Sequence, residues 1–207
     1  MLKNTKTYGV ILGVILFIAL MVGITYAYIT WQSSNTNLKV ESECFTINYV
    51  KGQNISNSKM YVINEDNFLS DDQITIIDGM ELTTISLEID EECNVDGTGK
   101  IILTTNTLST AFITGNSVGA LKYKLVEYSS TDYPSVTTTD LNGEVFTVVA
   151  EGAITASGSS DVISMELTSG NKKEYMFIFY LDEVLAQNDV ASASFYGTIS
   201  AEVAQKY

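Results

Sequence analysis

Between Lys6 and Lys39 the chain carries no charged side chain, and most of that interval is the apolar run Tyr8–Tyr28, YGVILGVILFIALMVGITYAY. As a helix, 21 such residues reach roughly 31 Å, which matches the hydrocarbon core of a bilayer. Lys3 and Lys6 precede the run, so the positive-inside bias keeps the amino terminus in the cytoplasm and sends everything after it outside. The fold and the function are therefore expected in an extracellular or cell-surface environment.

Two outcomes for the run are compatible with its composition. As a secretory signal it has a basic start, a long apolar centre, and Thr25 and Ala27 as small residues at the minus-three and minus-one positions of a cut before Tyr28. Retained, residues 8–28 are a membrane anchor. A type IV pilin also begins with an apolar helix, but its leader is followed by an early glutamate, whereas residues 1–40 contain no acid.

Beyond the run the dominant signal is period two. Leu82–Asp90 alternates Ile85, Leu87 and Ile89 against Thr84, Ser86, Glu88 and Asp90, the pattern of a half-buried strand. Leu121–Leu125 and Ile163–Leu167 repeat it, and shorter β-rich runs lie at 44–50, 60–63, 74–77, 100–105 and 145–150. Glu174–Leu181 is apolar on both faces and reads as a central strand, with Ala191–Val203 alternating beside it as a hairpin partner. Long loops are expected at 129–144, around the single proline Pro134, and at 151–161. The prediction is an all-β, two-sheet antiparallel, jelly-roll-like sandwich preceded by one hydrophobic helix. Its parts are residues 1–28 as signal or anchor, 29–43 as an extended linker, and 44–207 as one extracellular domain.

Composition excludes several function classes. All 25 acids but only nine of the 11 lysines lie beyond residue 28, giving that part a net charge of −16. Such a surface repels nucleic acid and anionic lipid. The chain has no histidine and no arginine. Without imidazole there is no Ser-His-Asp or Cys-His nucleophile pair and no His-containing zinc site. Without guanidinium there is no bidentate clamp for phosphate, and no glycine-rich phosphate loop appears, so no cofactor is expected. Cys44 and Cys93 are even in number in an oxidising compartment; a bridge between them would close about fifty residues and stabilise by roughly 4 kcal/mol. Two separate thiols are the alternative.

Three groups of residues offer chemistry. Glu88, Asp90, Glu91, Glu92 and Asp96 crowd into EIDEECNVDGTGK ahead of Gly97 and Gly99, and could supply oxygen ligands to calcium. Their spacing is not that of an EF-hand, and a solvated acidic turn explains them equally. Carboxylate pairs could also serve a glycosidase, although aromatic residues fall in strand-like runs rather than in a sugar-lined groove. Tyr123, Tyr128, Tyr133, Tyr175, Tyr180 and Tyr196 could form a surface for self-association, with Tyr196 placed outward by its strand's alternation.

The junction ITYAYITWQ, residues 24–32, with Gly23, Thr25, Tyr26, Ala27 and Tyr28 in order, resembles the leader and mature start of the TasA and camelysin family of Gram-positive biofilm-matrix proteins. NLKVESECFTINY, residues 37–49, is similar to the family's first strands. The resemblance implies cleavage beside Tyr28 and a non-enzymatic fibre subunit that self-associates. Its freed stretch, carrying Ile29, Trp31, Leu38 and Val40, would add as a strand to the sheet of the next subunit. The other expectations are an anchored, adhesin-like binding domain and, third, a glycosidase.

Overall fold

The computed structural model describes residues 61–205, apart from 71 and 94, and the backbone of three short strands ahead of them. The apolar run and the cleavage residues Thr25, Ala27 and Tyr28 lie outside the described residues. No helix among the described residues is long and apolar enough to cross a membrane.

In chain order the strands are β1 (Ile29–Thr30), β2 (Lys39–Glu41), β3 (Phe45–Asn48), β4 (Val62–Ile63), β5 (Leu69–Ser70), β6 (Gln73–Thr75), β7 (Glu81–Ile89) and β8 (Gly97–Leu108). They continue with β9 (Leu121–Glu127), β10 (Val145–Ala153), β11 (Gly158–Leu167), β12 (Lys172–Asp182) and β13 (Phe195–Gln205). A single-turn helix, α1 (Thr110–Ile113), and 3-10 turns at Glu65–Asn67, Glu91–Cys93 and Asn188–Ser192 complete the regular structure. The chain is mostly β, as its alternation predicts.

One sheet has four strands in the order β1-β13-β8-β11, all antiparallel. The other runs β2-β3-β7-β12-β9-β10-β6-β5 and curls, with β4 added beside β12. The β4–β12 pair is parallel, so the larger sheet is mixed rather than purely antiparallel as expected. There Val62 lies opposite Leu181 and Ile63 opposite Asp182.

β12 sits at the centre of the larger sheet between β7 and β9, and its two faces serve two cores. Tyr175, Phe177, Phe179 and Leu181 face the four-stranded sheet, where they meet Ile101, Leu103, Phe195, Ile199 and Val203. Met176, Ile178 and Tyr180 face the other way, into a second core with Phe68, Ile74, Ile76, Leu141 and Phe146 beneath the curled end of the sheet. Tyr133 and Val136, from the long 129–144 connection, pack onto that second core, which explains why so long a segment stays ordered.

Three expectations need correction. β12 and β13 are not a hairpin: they lie in opposite sheets, with Phe179 and Phe195 in ring contact at 5.9 Å across the core. Both strands turn their odd-numbered residues to the same core, so alternation gives their faces but not their neighbours. The 151–161 loop shrinks to 154–157, because β10 and β11 extend into it. Gly97 and Gly99 do not form a turn but start β8; a Cβ on Gly99 would lie 2.9 Å from Leu167 Cδ1, so close sheet packing requires glycine there.

Candidate functional site

Of the residues expected to drive assembly, Ile29 meets the four-stranded sheet at its β13 edge. β1 pairs antiparallel with the end of β13, Ile29 opposite Val203 and Thr30 opposite Glu202. β8 covers the other side of β13 along its full length. Among the described residues no strand occupies the β1 side of β13 from Phe195 to Ala201. Val40 lies in β2, opposite Ile47, at the edge of the other sheet. Trp31 and Leu38 lie outside the described residues.

The opposite edge, β11, is guarded. Its register with β8 shifts between Asp161 and Ile163, and Lys100 forms a 2.7 Å ion pair with Asp161 at that bulge. A bulge and a charge pair are the devices that stop an edge from accepting a strand. β13 has the first of these, since its register with β8 shifts between Tyr196 and Gly197, but it carries no charged side chain from Phe195 to Ala201. Its side chains there are Phe195, Ile199 and Ala201 inward and Tyr196 outward, and Tyr196 is 42 % exposed, as its alternation predicts.

The expected tyrosine surface does not form. Tyr175 and Tyr180 are buried, one in each core. Tyr123 packs against Phe177 and Phe179, Tyr133 against Phe146, and Tyr128 joins the second core. Aromatic residues at strand spacing have gone to the cores, as their size favours. Burial, with the Glu127 charge and hydrogen bond added, pushes the Tyr175 phenol up to about 12.

The acidic stretch becomes a turn closed by hydrogen bonds to its backbone and to the Asp90 carboxylate. Asp90 accepts the Glu92 N–H at 3.0 Å and the Cys93 N–H on its carbonyl, closing the 3-10 turn, and the Ser169 hydroxyl donates to the carbonyls of Asp90 and Glu91. Glu88 lies in β7, opposite Lys172 on one side and Thr46 on the other. The five carboxylates do not converge, and among the described residues no group of three acidic or cysteine side chains is placed to hold a metal ion. Cys93 is disulfide-bonded; Cys44 lies outside the described residues.

A polar cluster that the sequence does not announce lies where β9, β12 and the Glu65–Asn67 turn meet. Lys122 stands opposite Tyr180 and places its Nζ 2.7 Å from Asp182 Oδ2 and 2.8 Å from Glu65 Oε1. The Tyr180 hydroxyl donates to the same Glu65 oxygen at 2.7 Å. The Val184 N–H donates to Asp182 Oδ1 at 2.9 Å. Burial alone would lower the Lys122 pKa, but the hydrogen bonds to Asp182 and Glu65 outweigh it and raise it. The only signal in the sequence was a lysine pair, Lys122 and Lys124, inside an alternating strand.

A second cross-link lies nearby: Asp189 accepts hydrogen bonds from the Ser117 hydroxyl and, at 2.9 Å, from the Asn116 N–H, which holds its carboxyl below its ordinary pKa. An open cleft of about 480 Å³ has Asp78 and Glu81 on its wall with threonines from 137–139 and Tyr61 as its aromatic residue. No model of a known protein family matches the chain, and no curated protein matches it in sequence.

Proposed function

We propose that the protein is an exported, non-enzymatic structural subunit of the cell surface or biofilm matrix, built as a jelly-roll-like sandwich that assembles by strand addition. The observation that carries this reading is the β1 side of β13, which no strand among the described residues occupies from Phe195 to Ala201. Among the described residues only Ile29 and Thr30 flank this eleven-residue strand on that side, and they follow directly on the predicted cleavage point. Strand addition needs an open edge and an extended donor, and the main-chain hydrogen bonds supply affinity without any specialised pocket. The resemblance of residues 24–32 to the TasA and camelysin leader supports the same reading, and the lack of imidazole and guanidinium argues against the hydrolases that use them.

The test uses protein starting at Tyr28. It is expected to form elongated assemblies visible by electron microscopy as its concentration rises. An excess of a synthetic peptide spanning 29–40 is expected to suppress them by occupying the acceptor edge. A leaderless protein that stays monomeric at high concentration, alongside full-length chain confined to membranes in cells, would instead support the anchored binding domain.

A further inference from the structure

Among the described ion pairs Lys122 alone meets two carboxylates, although Lys172 also meets a largely buried one, Glu174 at 12 % exposed. Lys100, Lys124 and Lys173 each meet a carboxylate that is more than half exposed, at 62 %, 63 % and 52 %. Lys122 is wedged between two carboxylates, and the side chain of Asp182 is only 5 % exposed. The Tyr180 ring, fully buried and edge-on to Phe68 at 5.0 Å, forms the apolar floor. Each oxygen of Asp182 has a separate partner: Oδ2 faces the amine, and Oδ1 accepts the Val184 N–H.

We propose that Lys122 and Asp182 join in an intramolecular amide, Nζ bonded to Cγ, with Glu65 relaying the protons. An ammonium and a carboxylate contain every atom of an amide plus one water, so the step needs no oxidant and no co-reactant. Glu65 takes one proton from the Lys122 ammonium and passes it to Asp182 Oδ2, converting the ion pair into an amine and a carboxylic acid. The hydrogen bonds from the two carboxylates keep the ammonium as the resting form, so this neutral pair is the minor species through which the step passes. The amine then attacks Cγ; the electron pair of the C–O double bond moves to Oδ1, where the Val184 N–H stabilises the charge as an oxyanion-hole donor does. The amine's second proton passes through Glu65 to the Oδ2 hydroxyl, which leaves as water as the C–O double bond reforms. Glu65 ends as it began.

Proximity replaces an activating group. Nζ and the carboxylate are in contact, the two strands hold them there through the ladder on either side, and such placement is worth several orders of magnitude in rate. Tyr180 fixes the Glu65 oxygen that touches Nζ, so the proton carrier is positioned from the second core. The bond would tie β9 to the last residue of β12, a covalent staple independent of the Cys93 bridge and of the assembly reading above.

The experiment is the intact mass of the purified, folded protein, measured after unfolding and reduction. The expected mass is lower than that of the sequence by one water, and digestion should yield one branched peptide containing Lys122 and Asp182. Asp182→Asn is expected to lose one ammonia relative to its own sequence mass, because the amide nitrogen becomes the leaving group. Lys122→Ala should restore the full mass, and Glu65→Gln should slow or abolish the loss. A wild-type chain at full sequence mass after long incubation in its folded state would overturn the proposal, leaving an ion pair. A water deficit that persists in Lys122→Ala would overturn it as well. If that variant does not fold, the branched peptide from the wild type decides, and its absence rejects the bond.

Discussion

At the scale of single residues, the cores show one unpaired polar atom among the described side chains. Thr83 stands in β7 opposite Phe177, is 1 % exposed, and its hydroxyl finds no hydrogen-bond partner. A buried hydroxyl without a partner carries its full desolvation cost, whereas valine has the same shape and no such group. Thr83→Val is therefore expected to stabilise the protein by about 1 kcal/mol, read as a higher thermal midpoint; a lower midpoint would mean that the hydroxyl is satisfied in solution. Gly115 shows what cannot be read from sequence. A Cβ there would sit 2.6 Å from Ala111 Cα and 2.7 Å from Asp189 Oδ2, so the glycine is required by the local backbone turn and also by a carboxylate 74 positions away. Nothing in TGNSVG distinguishes that contact from an ordinary turn. Lys122 is similar: its alternation marks it as lying on one face of β9, but the two carboxylates that enclose it come from distant parts of the chain.

At the scale of strands, alternation told which residues reach the inter-sheet core, but the half-burial expected of β7 fails. Thr84 and Ser86, on the face read as outward, are buried, because that face lies with Leu82 on the second core beneath the curled end of the sheet. Ile85, Leu87 and Ile89 reach the inter-sheet core, and Phe195, Ile199, Ala201 and Val203 reach it from the other side. EYMFIFYL was legible as a central strand because apolar residues on both faces have no other use in a sheet. Pairing was not legible, since period two says nothing about which strand lies alongside, and the 183–194 connection is long enough to cross between sheets. That crossing makes Phe179 a contact between layers: it meets Phe177 and Tyr123 within its own sheet and Phe195 in the other. Phe179→Ala should cost about 3–5 kcal/mol, as expected for an emptied core ring position. Val149→Ala, on the exposed side of β10, should stay within about 0.5 kcal/mol, a difference that chemical denaturation resolves. Equal losses from the two would place β12 outside the centre of the fold.

At the scale of the whole molecule, hydrogen bonds to carboxylates and burial of phenols set the pH range in which the fold holds. Asp140 is held below its ordinary 3.8 by the Ser135 and Thr137 hydroxyls, and Asp189 by Ser117 and Asn116. In Glu174, burial pushes the pKa up, but Lys172 and Ser130 outweigh it and bring it down from 4.5. Groups depressed in this way lend stability above their unfolded values and lose it as the pH falls through the folded ones. Tyrosines behave in the opposite sense. Tyr175 is raised from 10.0 to about 12 by burial and by Glu127, and burial and Glu65 raise Tyr180 as well. Their contribution is complete below pH 10 and drains away as the pH rises through the folded value, since the unfolded chain releases those protons first. The midpoint of denaturation should therefore be flat between about pH 6 and 9 and fall on both sides. A general charge effect would also weaken so acidic a protein in alkali, so the discriminating comparison is Tyr175→Phe. That variant has no phenol to ionise in β12 next to Glu127, and its midpoint should fall less steeply than the wild type's between pH 10 and 12. Parallel curves would show that the alkaline loss comes from the other tyrosines and from the net charge, with Tyr175 ionising alike in the folded and unfolded chain.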